Sequence, residues 1–236
     1  MKLSHKIKKI ATRDTVLSLK RGIQRLLHPL PLSRFTKHID QTELKRLESV
    51  YLPGWPADTI HWPKYLQIER FLKMNIRRVQ DMGLDRMKPM HILDIGSGAG
   101  YFLFVCRILG HSGYGLDIED PHMYEEMFNL FGLKRGIHRV EKFQPLPDTG
   151  AKYDLITAFS IVFNLHSSPE PWGIAEWEYF LNDAESHLNP GGRVYLALNP
   201  TPDGSFYTNE LREYFLSRGA EVDHRAKLLF PPKKEA

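Results

Sequence analysis

From residue 88 onwards, short apolar runs alternate with longer segments that are apolar on one side only. The runs predict strands at 90–95, 113–118, 138–143, 154–160 and 193–199, and the segments predict helices near 100–109, 121–131, 174–188 and 207–218. Such alternation is typical of a mostly parallel sheet covered by helices on both faces. We therefore predict a doubly wound α/β domain over residues 88–230. A last strand is predicted within 220–230. Residues 220–236 are too few for two ordinary strands, so the sheet either lacks its last antiparallel strand or borrows one from the leader, and the sequence leaves this open.

The first 87 residues follow different patterns and form two further segments. Residues 1–40 predict a basic helical leader, because apolar residues recur every three or four positions until Pro29 and Pro31 interrupt them; these residues are Val16, Leu19, Ile23, Leu26 and Leu30. Residues 41–87 predict a helical and aromatic lid region. Within it a loop rich in Pro, Trp and Tyr at 50–63 precedes a helix over 64–82, which Gly83 ends.

The charge is divided unevenly between the leader and the rest of the chain. Residues 1–37 contain ten Lys or Arg and one Asp, whereas the remaining residues contain 22 Lys or Arg and 27 Asp or Glu. The leader therefore packs on the body, forms a solvated tail, or lies on an anionic membrane or an acidic protein partner. The acidic body argues against nucleic acid as a partner.

The amino-acid composition limits the cellular location and the kinds of chemistry expected of the protein. Hydrophobic residues make up 42% of the chain and charged residues 25%, which is ordinary for a globular protein. The single cysteine, Cys106, excludes an internal disulfide, and no apolar run has the ~20 residues that span a bilayer. We expect a cytoplasmic protein, peripheral at the inner membrane surface if the leader binds lipid. The eleven histidines form no ligand-spaced cluster, so we predict no metal.

The strongest chemical signal is the stretch from His91 to Phe102. An apolar strand, Ile92–Ile95, runs into the turn Gly96–Gly100, and an apolar helix follows. Glycines permit a tight turn and let the backbone approach a ligand closely. The helix N-terminus offers free N–H groups, and ligands of open parallel sheets bind at the carboxyl ends of the strands.

Three further features accompany this turn. Asp94 lies two positions before the first glycine, where a carboxyl group needs a cationic or hydrogen-bonding partner. Asp117 ends the next predicted strand, where a carboxylate can accept both hydroxyls of a ribose. Residues 189–192 form a helix stop and a tight turn directly before the predicted strand at 193–199.

These residues resemble the motifs of the class I S-adenosylmethionine (SAM) dependent methyltransferases. Ile92–Phe102 resembles motif I, Gly115–Asp117 is similar to the ribose-binding acid, Tyr153–Phe159 resembles the fourth strand, and Leu188–Val194 resembles the turn before the fifth. The resemblance covers about residues 88–225. It implies a Rossmann-like fold, SAM as the cofactor and methyl transfer as the reaction.

The resemblance also implies a set of cofactor-binding residues. Backbone groups of the turn would line the methionine part of SAM, Asp94 would help hold its amino group, and Asp117 would hold the ribose hydroxyls. Adenine would pack on Ile118 and lie near Phe143, and the end of the fourth strand would flank the cofactor. The complete predicted set is Asp94, Gly96, Ser97, Gly98, Gly100, Asp117, Ile118, Phe143, Ala158 and Phe159.

The acceptor is expected between residues 51–65 and 164–177. These two segments contain aromatic residues suited to lid packing or to substrate contact: Trp55, Trp62, Tyr65, Trp172 and Trp177. They also contain His166 and His61, our first and second candidates for the base that a hydroxyl acceptor needs. The loop Phe163–Gly173 resembles a group of uncharacterised bacterial-type methyltransferases, which implies a small-molecule, lipid or glycan acceptor.

Three alternatives stay open. An NAD(P)-dependent oxidoreductase shares the turn and the ribose acid, but its third glycine would fall at Tyr101. A SAM-binding regulator or scaffold would bind the cofactor without turnover. The third alternative is a nucleic-acid methyltransferase. The members of that class that methylate amines carry an Asn-Pro motif after the fourth strand. Here Asn199-Pro200 follows the fifth predicted strand, so we interpret it as a strand exit. The sequence leaves the oligomeric state open.

Overall fold

The computed structural model describes residues 13–53, 62–119, 122–222 and 227–232. The predictions made for His61 and Trp55 lie outside these residues. Within these ranges, no helix combines the length and hydrophobicity needed to cross a membrane.

Helices and strands alternate along most of the described chain. The helices are α1 (Arg13–Leu27), α2 (Ser33–Thr36), α3 (Gln41–Tyr51), α4 (Ile68–Met82), α5 (Tyr101–Ile108), α6 (Met123–Leu130), α7 (Ile174–Ser186) and α8 (Asn209–Ser217). The strands are β1 (His91–Ile95), β2 (Ser112–Asp117), β3 (Lys134–Ile137), β4 (Tyr153–Ile161), β5 (Leu188–Leu198), β6 (Glu221–Val222) and β7 (Lys227–Phe230). Short 3-10 helices at Trp62–Leu66 and Leu84–Arg86 flank α4.

The seven strands form one sheet in the order β3-β2-β1-β4-β5-β7-β6. The first five strands are parallel, and β7 pairs antiparallel with both β5 and β6. The strand order reverses between β1 and β4, and in open α/β sheets the ligand site lies at such a switch point. The fold is thus the predicted doubly wound, Rossmann-like one.

The structure answers the open question of the last strand and corrects the placement of the third strand. The sheet does not lack its last antiparallel strand: β6 has two residues and β7 has four, so both fit into a segment too short for strands of average length. The third strand is Lys134–Ile137, not 138–143. As an edge strand it needs little apolar surface, and its Lys, Arg and Gly hid it from a pattern based on hydrophobicity.

The two faces of the sheet carry separate cores. Helices α4, α5 and α6 pack on one face around Phe71, Phe104 and Phe131. Helices α7 and α8 pack on the other face around Trp177 and Phe215. As predicted, Gly83 ends α4, with a left-handed φ of 74°.

Helix α1 touches the body mainly through its last turns. Arg25 forms an ion pair with Asp81 of α4, and the side-chain amide of Gln80 donates to the His28 carbonyl at 2.9 Å. Several of its large apolar side chains face solvent, and Leu26 is 82% exposed. The predicted helix is therefore present and attached at its C-terminal end, while much of its apolar stripe is left uncovered.

Candidate functional site

The glycine turn between β1 and α5 has the backbone that its sequence predicts. Gly96, Gly98 and Gly100 adopt φ values of 69°, 54° and 77°, a region that favours glycine. The turn is tied to the end of β2, because the Gly96 N–H donates to the Leu116 carbonyl at 2.7 Å. This hydrogen bond therefore fixes the turn at the carboxyl ends of β1 and β2.

The carboxylate of Asp117 lies directly beside this turn. It accepts hydrogen bonds from the backbone N–H of Gly98 at 2.5 Å and of Ile118 at 2.8 Å. Burial raises the pKa of Asp117, while these two hydrogen bonds and the positive charge of Arg135 act in the opposite direction. Two backbone hydrogen bonds thus fix the Asp117 carboxylate at the end of β2.

Asp94 is buried under the turn, with 2% of its surface exposed. Its Oδ1 accepts a hydrogen bond from the Thr157 hydroxyl of β4 at 2.6 Å. Burial raises the pKa of Asp94 to about 7, and nearby Asp117 adds to the rise, although the Thr157 bond and the Arg78 charge oppose it. A carboxyl group that titrates near neutral pH suits a site where a bound cation would favour ionisation.

A cavity of about 290 Å³ lies between the turn and helix α4. Its lining includes Asp94, residues 96–99, Phe159 and Ser160 from the sheet side, with Lys64, Tyr65 and several α4 residues opposite. The Tyr65 ring covers Gly98, and the Tyr101 hydroxyl donates to the Tyr65 carbonyl. The 3-10 segment before α4 therefore closes one side of the cavity.

Arg78 of α4 is a lining residue that the sequence reasoning missed. Its guanidinium carbon lies 4.5 Å from the Phe159 ring centroid, and Nη1 donates to Asn75 Oδ1 at 3.0 Å. No carboxylate oxygen of the described residues lies within 4.0 Å of it. Burial lowers the pKa of Arg78 and the negative charge of Asp94 opposes this, so the guanidinium is desolvated with no carboxylate in direct contact among the described residues. The cavity thus offers a place for an anionic group.

The end of β4 is bent where it reaches the cavity. Ser160 adopts a φ of 54°, which is unfavourable for a residue other than glycine. The Asn199 side chain donates to the carbonyls of Ser160 at 2.9 Å and Ile161 at 3.2 Å. Asn199 therefore braces this strained strand end, in agreement with its interpretation as a structural strand exit.

Six of the predicted site residues are outside the lining of this cavity. Gly100 ends the glycine turn, and Asp117 contacts the turn through the Gly98 N–H. Ala158 is fully buried within β4, and Ile118 is half-buried after Asp117. Phe143 is 50% exposed, with its ring 5.8 Å from that of Tyr179. His166 lines a separate cavity of about 520 Å³ beyond β4 and β5, together with Trp172 and Trp177. The functional roles of these six residues stay predictions.

The lining lacks the features of a metal site. Across the described ranges no group of three or more His, Cys, Asp or Glu side chains is placed to hold a metal ion. The candidate chemistry therefore rests on the carboxyl groups, the backbone turn and Arg78.

A seven-stranded sheet with the order 3-2-1-4-5-7-6 and a glycine turn after β1 defines the class I SAM-dependent methyltransferase fold. The sequence also matches a family profile described as a methyltransferase domain over residues 66–228. The chain belongs to that family. No curated protein matches it significantly.

Solved structures of methyltransferases share the fold. CalS10, an amino pentose methyltransferase from Micromonospora echinaspora solved with SAM bound, has a TM-score of 0.51 and 15% identity over 75% of this chain and 100% of that chain. DesVI from Streptomyces venezuelae has a TM-score of 0.52 and 13% identity over 83% and 99%. A TehB-like SAM-dependent methyltransferase from Corynebacterium glutamicum has a TM-score of 0.51 and 18% identity over 74% and 98%. At such identities the likeness concerns the fold alone.

Proposed function

We propose that the cavity beside the glycine turn binds SAM and that the protein methylates a small-molecule, lipid or glycan acceptor. The observation that carries this proposal is the pairing of opposite charges within one cavity. Asp94 and Arg78 are both desolvated there, and both line the space next to residues 96–99. A zwitterionic amino acid, such as the methionine part of SAM, complements both groups.

The remaining groups fit the rest of the cofactor. Asp117 stands at the end of β2, where a carboxylate can accept both ribose hydroxyls. Ser97 Oγ is buried and has no hydrogen-bond partner among the described residues, so a ligand atom can satisfy it. We assign Arg78 to the cofactor carboxylate, Asp94 to the amino group and Asp117 to the ribose.

The chain's own residues would align the reactants and exclude water. Bound SAM would supply an electrophilic methyl group on its sulfonium; in-line attack by the acceptor's lone pair on the methyl carbon would leave the sulfur as the neutral thioether of S-adenosylhomocysteine. Such a reaction depends mainly on positioning. Tyr65, Phe71 and Phe159 give the cavity apolar walls that keep water away from the transferred methyl group.

A hydroxyl acceptor would also need a base to take its proton. His166 and His61 remain our candidates for that role. His166 Nδ1 is buried and has no hydrogen-bond partner among the described residues, but His166 lines the separate cavity of about 520 Å³ and not the cofactor cavity. An amine acceptor in its neutral form needs no such base.

Calorimetric titration of SAM into the wild type and into Asp117→Ala tests the cofactor proposal. Loss of a charge-assisted contact to the ribose should weaken binding about ten- to a hundredfold. Asp148→Ala is the matched control, because Asp148 is an exposed Asp whose carboxylate accepts the Gly150 N–H at 2.8 Å within its own turn. Thermal melts of both variants confirm that they are folded. Failure of the folded wild type to bind SAM, particularly with NADH binding in its place, contradicts the proposal.

A further inference from the structure

A second groove adjoins the cofactor cavity on the same face of the sheet. It encloses about 480 Å³ between helix α4 and the strands β5 and β7. Met74, Arg78 and Phe159 line both spaces. A molecule in this groove would therefore reach the cofactor cavity at Phe159.

The groove is strongly cationic. Its lining contains Lys73, Arg77 and Arg78 from α4 and Lys227 from β7, whereas Asp81 is its only lining carboxylate among the described residues. Asp81 is already engaged by Arg25, and Lys227 lies 4.0 Å from it. Four cations thus line the groove with one acid. Lys73 and Lys227 have acidic neighbours and Arg78 is assigned to the cofactor carboxylate, so the excess positive charge that attracts anions centres on Arg77.

Arg77 is the cation most available to a ligand. It is exposed, and no carboxylate oxygen of the described residues lies within 4.0 Å of it. Lys73, one helical turn earlier, forms only an exposed pair with Glu69, and such pairs contribute little. Both side chains lie on the α4 face that forms the wall of the groove.

Aromatic rings form the end of the groove nearest the cofactor cavity. The Tyr195 and Phe159 rings lie 5.7 Å apart, and the Arg78 guanidinium stands over Phe159. Tyr195 and Ala197 of β5 are half-buried. The groove therefore combines a half-buried aromatic surface, formed by Phe159 and Tyr195, with cationic side chains along its wall.

We propose that this groove is the acceptor site and that it selects an acceptor carrying a phosphate or carboxylate group. The anionic group lies against Arg77 and Lys227, and the apolar or ring portion lies on Phe159 and Tyr195. That orientation points the far end of the acceptor into the cofactor cavity. The inference rests on the proposed function and narrows its acceptors to anionic ones.

Binding of three matched probes to the full chain saturated with S-adenosylhomocysteine tests this inference. The probes are phenyl phosphate, benzoate and benzyl alcohol, followed by ligand-observed NMR. We expect both anions to bind at least about tenfold more tightly than the alcohol and to weaken as salt is added. The ratio between the two anions identifies the preferred anionic group. Equal binding of all three probes overturns the inference.

The variant Arg77→Gln combined with Lys227→Gln locates the site. We expect binding of the preferred anion to fall about tenfold, with S-adenosylhomocysteine binding unchanged because neither residue lines the cofactor cavity. Lys45→Gln is the control, since Lys45 is an exposed cation on α3 outside the groove. Unchanged anion binding in the double variant overturns the inference. If the folded wild type does not bind S-adenosylhomocysteine, the cofactor proposal is contradicted instead. Failure of the acceptor inference and failure of the cofactor proposal are therefore distinguishable.

Discussion

The chemistry of the site depends on a few residues whose positions the local sequence largely defines. The glycine turn, Asp94 and Asp117 could be predicted because a strand, a turn and a helix follow one another within a short segment. Arg78 could not be predicted in this way. Its role depends on α4 packing over the end of β4, a contact between segments about eighty residues apart in the chain, and the helical pattern alone places it among ordinary polar residues.

Asp94 gives a prediction for the ligand-free protein. Its folded-state pKa of about 7 lies above the ordinary value of 3.8, because burial disfavours the carboxylate. Between about pH 4 and pH 7 the unfolded carboxyl is therefore ionised while the folded one retains its proton. This group makes the free energy of unfolding fall as pH rises through that range, by an amount on the order of a few kcal/mol.

The variant Asp94→Asn removes this titration while retaining an oxygen that can accept from Thr157. Without cofactor, its melting temperature should exceed that of the wild type at pH 8 and differ much less at pH 4. Thermal melts of wild type, Asp94→Asn and the exposed control Asp148→Asn measure the difference. An advantage of Asp94→Asn that does not grow with pH would show that Asp94 is not a buried, proton-retaining group.

At the scale of elements, the turn is closely packed as well as left-handed. A Cβ atom at Gly100 would lie 2.8 Å from Phe128 Cε2 and 3.1 Å from Leu133 Cδ1, next to helix α6. Gly191, in the turn within β5, has a similar φ of 79° but nothing within 4 Å of its Cβ position. The two glycines thus share a backbone conformation and differ in their surroundings.

We expect Gly191→Ala to lower the free energy of unfolding by about 1–2 kcal/mol, the cost of a left-handed alanine. Gly100→Ala should lower it by roughly 1–3 kcal/mol more, because Phe128 and Leu133 must also move. Urea denaturation of both variants measures the difference. Equal losses would show that α6 does not pack against the turn as described.

Element boundaries were predictable where burial sets a clear period, and less so at the sheet edges. The strands β1 and β4 lie in the predicted places because apolar residues dominate them, whereas β2, with only Tyr114 and Leu116 as large apolar residues, is recognised by Asp117 at its end. The edge strand β3 contains Lys134, Arg135 and Gly136, so only its pairing with β2 identifies it. Similarly, the two residues of β6 carry too little pattern to be recognised before β7 is in place.

At the scale of the whole molecule, the last strand is part of the sheet interior. β7 lies between β5 and β6, and Phe230 is buried with its ring 5.9 Å from that of Phe215 in α8. The neighbouring Leu229 lies on the opposite face and is half-buried. The final described strand therefore connects the sheet to the core on the α7 and α8 side.

Phe230→Ala should lower the free energy of unfolding by about 3–5 kcal/mol, because it leaves a cavity beside Phe215. Leu229→Ala is the adjacent control and should lower it by clearly less, since part of that side chain already meets water. Chemical denaturation of the full chain compares them. A small, equal loss in the two variants would mean that β7 is a loosely attached edge.

The central claim is that the cavity between the glycine turn and α4 holds SAM. A crystal structure of the protein grown with S-adenosylhomocysteine tests it most directly. We expect density for the ligand in this cavity, with its carboxylate on Arg78, its amino group near Asp94 and its ribose hydroxyls on Asp117. A ligand bound elsewhere, or an empty cavity in crystals grown with saturating ligand, would contradict the account.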